Sequence, residues 1–230
     1  MIDQLPEIVI TARALPPGRG EAAQGVVVIG REALQAAPSQ SLDQIVRSVP
    51  GVQLFRRSDS RSANPTSQGV TLRGLGGNAA SRALVLLDGV PQNDPFGGWV
   101  NGPALDPAGL AEVRVTRGGG SVLFGPGALA GTIELSSDRT EGIRAALDGG
   151  LHGAAEARLA LVRGGASFVA FGGADEGFVP VVREDRGAAD RKAPFSFGGV
   201  RVAVRSGPFE AGAALFADRR ERGLARTGNE

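Results

Sequence analysis

Residues 110–137, LAEVRVTRGGGSVLFGPGALAGTIELSS, constrain the fold of this chain more than any other stretch. Val113 and Val115 alternate with Arg114 and Thr116, and Ile133 and Leu135 alternate with Thr132, Glu134 and Ser136, so each end reads as a half-buried strand. Between them, glycines at 118–120 and the Gly125, Pro126, Gly127 triplet supply turn conformations around Val122, Leu123 and Phe124. This predicts a compact crossover that needs no ligand. Gly125, Gly127 and Ala130 also spell GxGxxA, but a dinucleotide site would follow a long buried strand and open a long helix. Neither flank fits. A Walker phosphate loop ends in lysine, and Lys192 is the only lysine in the chain.

Composition narrows the classes further. A chain of 230 residues has room for one or two domains with a real core. Its 36 glycines follow no repeat period, which suits turns and packed strands rather than a fibrous array. A formal charge of +1, no tyrosine and one tryptophan argue against a nucleic-acid surface. With no cysteine there is neither a disulfide scaffold nor a thiolate metal site. The single histidine, His152, reads as a surface residue at a strand end, and no triad can be assembled around it. Paired carboxylates, a metal cluster and an activated nucleophile are all missing from the spacing pattern, so the sequence predicts no enzyme and no cofactor. The start, residues 1–6, lacks the basic and apolar regions of a signal peptide, and no apolar run is long enough for a membrane helix. An exported chain of this kind is expected to have lost its leader.

In chain order, EIVITA (Glu7, Ile8, Val9, Ile10, Thr11, Ala12) is a short β-prone segment followed by an Ala, Gly and Pro-rich arm. A strand is expected at 26–29 and a short helix at 31–36, stopped by Pro38. Ser41 with Gln44 three residues on predicts a capping box, ahead of apolar positions Leu42, Ile45, Val46 and Val49. Val52 and Leu54 open a strand leading into the polar segment 56–68, and strands return at 69–73 and 83–87. Asp88 and Gly89 turn the chain into the loop 92–103, where Phe96 and Trp99 stand among Asn, Asp and Gly. Aromatic side chains on a polar loop suggest a binding surface, against the rival reading that Trp99 folds back on the domain. Beyond Ser137, five strands are expected at 143–151, 156–163, 167–174, 200–205 and 209–218, with tight turns at Gly164, Gly165 and at Ser206, Gly207, Pro208. Val200, Val202, Val204, Ala211, Ala213 and Leu215 would face lipid, and Arg201 and Arg205 the lumen of a barrel.

TLRG at 71–74, LLDGVP at 86–91, EVRVTRG at 112–118 and SVLFG at 121–125 carry a family likeness. In order and spacing they resemble the plug domain of TonB-dependent outer-membrane receptors. The departures are Gly119 where the family has Pro, Phe124 for Tyr, Ala130 for the first of two glycines, and Glu134 for Asn. The resemblance implies an α+β plug domain, a small mixed sheet with short helices, followed by antiparallel strands of an incomplete transmembrane β-barrel. It divides the chain into a TonB-box segment and linker at 1–25, the plug at 26–137, and the first barrel strands at 138–230.

It further implies that Glu7, Ile8, Val9, Ile10, Thr11 and Ala12 form the TonB box, which the periplasmic domain of TonB captures as an added strand. Arg56, Arg57 and Asn64 on one loop, with Gln92, Asn93, Phe96 and Trp99 on the other, are the expected ligand contacts. Arg73 and Arg117 match plug arginines that pair with barrel glutamates. The implied partners are TonB, a metal-chelate or vitamin ligand and outer-membrane lipid, with the TonB box facing the periplasm. Five strands cannot close a barrel and would leave edges with unpaired backbone groups in hydrocarbon, so a piece of a longer receptor is expected. The competing class is a stand-alone soluble plug that binds a ligand or TonB without transport.

Overall fold

The computed structural model describes residues 25–37, 41–55, 60–61, 68–74, 81–118, 124–177, 179 and 192–221. The chain divides at Asp138 into two compact units, each with its own sheet.

The first unit is built on a five-stranded mixed sheet. Its strands are β1 (Gly25–Gly30), β4 (Ala83–Leu87), β5 (Val90–Pro91), β6 (Leu110–Arg117) and β7 (Gly131–Ser137), in the order β1-β6-β7-β4-β5. Short helices α1 (Arg31–Gln35) and α2 (Leu42–Arg47) and a two-stranded ribbon of β2 (Val52–Leu54) and β3 (Val70–Leu72) complete it. The alternation seen in the sequence sets the register: Val115 pairs with Val27 on one side and Ile133 on the other, and Val113 with Ile29 and Leu135. β4 joins β7 in parallel, placing Val85 beside Ile133 and Leu87 beside Leu135. One face of the sheet therefore gathers aliphatic side chains from four strands. Leu34, Ile45, Val46, Val49, Val52 and Leu72 close over it as a single core.

Three expectations change. β6 and β7 are antiparallel neighbours, so the glycine-rich connection is a long hairpin loop ending in a 3₁₀ turn at Pro126–Ala128, not a crossover. Residues 119–123 of that loop lie outside the described residues. The strands are also more than half-buried, because Thr116, Thr132 and Leu86 on the opposite face are covered too. Finally, Ser41 is the N-cap of α2, but its hydroxyl makes no cap bond to the helix backbone and instead meets the Asp43 carboxyl. A side-chain acceptor two residues away wins over the amides that the capping box would satisfy.

The second unit is an antiparallel meander of β8 (Gly142–Gly149), β9 (Ala155–Arg163), β10 (Ala166–Asp175), β11 (Phe195–Ser206) and β12 (Phe209–Arg220). Gly164 (φ 57°) and Gly165 (φ 80°) make the two-residue turn between β9 and β10, a geometry that glycine adopts without a Cβ penalty. β11 starts five residues before the expected Val200, because Gly198 and Gly199 hide the alternation there. Gly199 is required: a Cβ on it would strike the Phe171 ring from β10.

The register sorts the side chains by parity. Ile143 pairs with Leu161, Leu161 with Phe168, Phe168 with Val202, and Val202 with Ala213. One face thus carries Ile143, Leu147, Leu159, Leu161, Phe168, Val200, Val202, Val204, Ala213 and Leu215, with charge only at strand ends, in Arg163 beside Ala166 and Arg219 beside Ser196. Ile143, Leu147 and Leu215 are 71%, 85% and 77% exposed. The other face carries the charges, including Arg158 paired with Asp148 at 2.6 Å and with Glu156, and Arg205 paired with Glu210. Arg220 lies 4.9 Å from the Phe195 ring centre, and Phe195 stacks on Phe197 at 5.3 Å.

Candidate functional site

The loop after β5 is a hairpin tip whose shape is fixed by two side chains. Asp94 accepts from the Phe96 and Gly97 amides at 2.9 and 2.6 Å, and its own amide donates to the Trp99 carbonyl at 2.8 Å. This forces Phe96 to the apex, where it is 98% exposed. Trp99 is half-buried, its indole lying over Gly97, where any Cβ would collide with the ring. One ring face rests on the loop backbone and the rest stays open. Gln92 is close by, its amide donating to the Val90 carbonyl at 3.0 Å.

Asn93 has a different job from the one expected. Its Oδ1 accepts from the Val85 amide at 2.8 Å, and its Nδ2 donates to the carbonyls of Ala83 at 3.1 Å and Gly98 at 3.4 Å. The side chain stands in for a strand beside β4 and has no N–H left for a ligand. Asn93 thus serves the loop's own backbone, while the Phe96 side chain projects from its tip.

The base of this loop meets the base of the preceding one through polar residues that the sequence reading passed over. Gln68 accepts from the Val100 amide with its carbonyl at 3.0 Å and from the Gly102 amide with Oε1 at 3.3 Å, while its Nε2 donates to the Ser60 carbonyl at 3.2 Å. The Ser60 amide donates to Asp43 Oδ2 at 3.1 Å. Arg56, Arg57 and Asn64 lie outside the described residues, as do Glu7, Ile8, Val9, Ile10, Thr11 and Ala12.

Arg73 and Arg117 come together where β6 ends, beside Gly51 and Gly118. Arg73 sits at φ 59°, donates its amide to the Gly51 carbonyl at 2.9 Å, and lays its guanidinium against Gly118. Arg117 reaches the Gly25 and Pro50 carbonyls, each at 3.4 Å, and packs on Gly51. Among the described residues neither guanidinium has a carboxylate partner. Both guanidinium groups lie against glycines, Arg117 against Gly25 and Arg73 against Gly118, and Gly51 and Gly118 hold positive φ of 89° and 82°.

Comparison with known proteins agrees with this geometry. The family model for the TonB-dependent receptor plug domain matches residues 19–132. A hemin receptor of Yersinia enterocolitica is 31% identical over 130 residues, covering 56% of this chain and 18% of that protein. The vitamin B12 transporter BtuB of Vibrio vulnificus is 31% identical over 160 residues, covering 68% of this chain and 25% of that protein. The chain thus spans a quarter or less of the length of these relatives, which are receptors and transporters rather than enzymes. Among solved structures, the unliganded ferric citrate transporter FecA superposes with a TM-score of 0.58 at 18% identity, over 88% of this chain and 32% of that one. The siderophore receptor PirA of Acinetobacter baumannii gives 0.55 at 18% identity, over 84% and 32%. At such identity the likeness is one of fold.

Proposed function

The chain belongs to the TonB-dependent receptor family through its plug domain, and from that premise we propose that it forms the gate and first wall strands of an outer-membrane receptor for a scarce ligand. Residues 1–25 are the arm that TonB captures from the periplasm, with the box at 7–12; residues 26–137 are the plug; residues 138–230 begin the barrel. Gln92, Phe96 and Trp99, with Arg56, Arg57 and Asn64, touch the ligand. Arg73 and Arg117 bind carboxylates of the barrel wall.

The observation that carries this reading is the apolar band on one face of the second sheet, whose charges, Arg163 and Arg219, stand only at strand ends. Each large aliphatic side chain left in water forgoes about 1.5–3 kcal/mol, so such a face suits lipid and penalises a water-soluble module. Arg73, exposed, and Arg117, half-buried, have no carboxylate partner among the described residues, which supports the plug–barrel role, since guanidinium forks favour bidentate acids. The ligand belongs to the class that the relatives' names indicate, an iron chelate, hemin or cobalamin.

Uptake tests the reading. Cells that depend on the receptor containing this chain are supplied with hemin, ferric enterobactin or cyanocobalamin as sole source. Growth on one of them, reduced by Trp99→Ala and Phe96→Ala, is the expected result. Growth independent of the receptor on all three would overturn it.

A further inference from the structure

Two segments offered above as ligand-facing, 56–68 and 92–103, are far apart in sequence yet share one buried polar connection. Asp43 in the first turn of α2 is 8% exposed, Ser60 6% and Gln68 9%. The Asp43 carboxyl takes the Ser41 hydroxyl and the Ser60 amide; Ser60 in turn gives its carbonyl to Gln68, and Gln68 holds the amide of Gly102 and, through its own carbonyl, that of Val100. Gly102 is close enough for a Cβ to fall 3.3 Å from Ser60 Oγ, so the two loop bases lie directly against each other.

Asp43, Ser60, Gln68 and Gly102 also line a partly open pocket of about 50 Å³, together with Val46, Val70, Val85, Val100, Leu105 and Ile133. Buried polar networks are all-or-none, since a half-satisfied member forfeits its desolvation.

We propose that Asp43, Ser60, Gln68 and Gly102 act as a clasp that couples the two loops to each other and to α2, so that a ligand touching one loop repositions the other. The proposal rests on the ligand-loop reading for its purpose, but its test needs no ligand. Amide hydrogen exchange is followed in the 230-residue chain in detergent micelles. Asp43→Asn disturbs the bond to the Ser60 amide directly, and Gln68→Met removes one of the two acceptors of the Gly102 amide, leaving the Val100 carbonyl at 3.0 Å.

Coupling requires each variant to act at the far donor as well. Asp43→Asn should speed exchange at Gly102, and Gln68→Met at Ser60, each by at least about tenfold, and the double variant should be no faster than the faster single one. If each variant affects only its own donor, or if the two effects multiply, the clasp is not a coupling device. Val115 and Ile133 in the central strands report global loosening. Should Asp43→Asn speed them too, the Gln68→Met reading at Ser60 decides alone, because that change conserves volume in the core. Uptake left unchanged by Trp99→Ala and Phe96→Ala, with exchange coupling intact, would reject the ligand-loop reading and leave the clasp standing.

Discussion

The Ser137 amide donates to Asp88 Oδ1 at 2.8 Å, and the Ser137 hydroxyl meets the other carboxyl oxygen, so the turn after β4 is tied to the last residue of β7. Asp88 also sits at φ 49° beside Gly89 at φ 84°, and its amide donates to the Leu135 carbonyl at 2.9 Å. Asp88→Ala removes both side-chain bonds and puts a residue that disfavours positive φ in the turn. It should cost about 2–3 kcal/mol in denaturant unfolding followed by Trp99 fluorescence. Asp88→Asn, which tolerates the backbone and keeps one acceptor, should lose less than half of that. Equal losses would show that the carboxylate tie to Ser137, not the turn backbone, is what matters.

The glycines of the hairpin loop are not equivalent. Gly131 has φ 133°, and a Cβ there would fall onto the Thr116 carbonyl and within 2.8 Å of Leu72 Cδ1. Gly131→Ala should destabilise the plug by more than about 3 kcal/mol. Gly127→Ala faces only Leu84 Cδ1 at 3.8 Å and should change stability by less than about 0.5 kcal/mol. Thermal unfolding of the two variants side by side checks the contrast.

Adjacent positions on β11 should respond in opposite ways to charge. Val202 stands on the apolar face and Ala203 on the charged one. In the complete receptor Val202→Lys should cost up to about 2–4 kcal/mol, the penalty for a lysine facing lipid at mid-depth, and Ala203→Lys close to none. Recovery of folded receptor from outer-membrane fractions is the measurement. Equal recovery of the two variants would remove the lipid-facing assignment.

Separate expression of residues 1–138 and 139–230 follows from the division of the chain at Asp138. The first piece contains the described core from Leu34 to Leu135 and should melt cooperatively. The second offers the open edges of β8 and β12 and an uncovered apolar face, so it should aggregate in water and stay dispersed only in detergent. A cooperative melt of a monomeric second piece in water would contradict this.

What the sequence disclosed followed the range of the forces involved. Val113, Val115, Ile133 and Leu135 announce their strands because alternation is local, and Asp88 with Gly89 announces its turn because few residue pairs tolerate that backbone. The parallel pairing of β4 with β7 left no local trace, and so the hairpin between β6 and β7 was read as a crossover. Asn93 in a polar loop looks like a ligand contact, whereas its partners, Val85 and Ala83, are strand residues eight and ten positions away. Asp43, Ser60 and Gln68 were invisible for the same reason, since each is an ordinary polar residue until the fold brings it beside the others. Asp94, by contrast, could have been found: an Asp followed by Pro, Phe and two glycines carries the signal for a side-chain-capped turn.

The claim on which the functional reading turns is that TonB takes hold of residues 7–12. Titration calorimetry of the chain in detergent against the periplasmic C-terminal domain of TonB tests it, with Ile10→Pro as the control. Proline fixes φ and removes a strand donor, so added-strand pairing should be lost, at least about a hundredfold in affinity, while denaturant unfolding of the plug stays unchanged. Saturable binding by the native chain and none by Ile10→Pro is the predicted result; no binding by the native chain, or equal affinity for both, would contradict it.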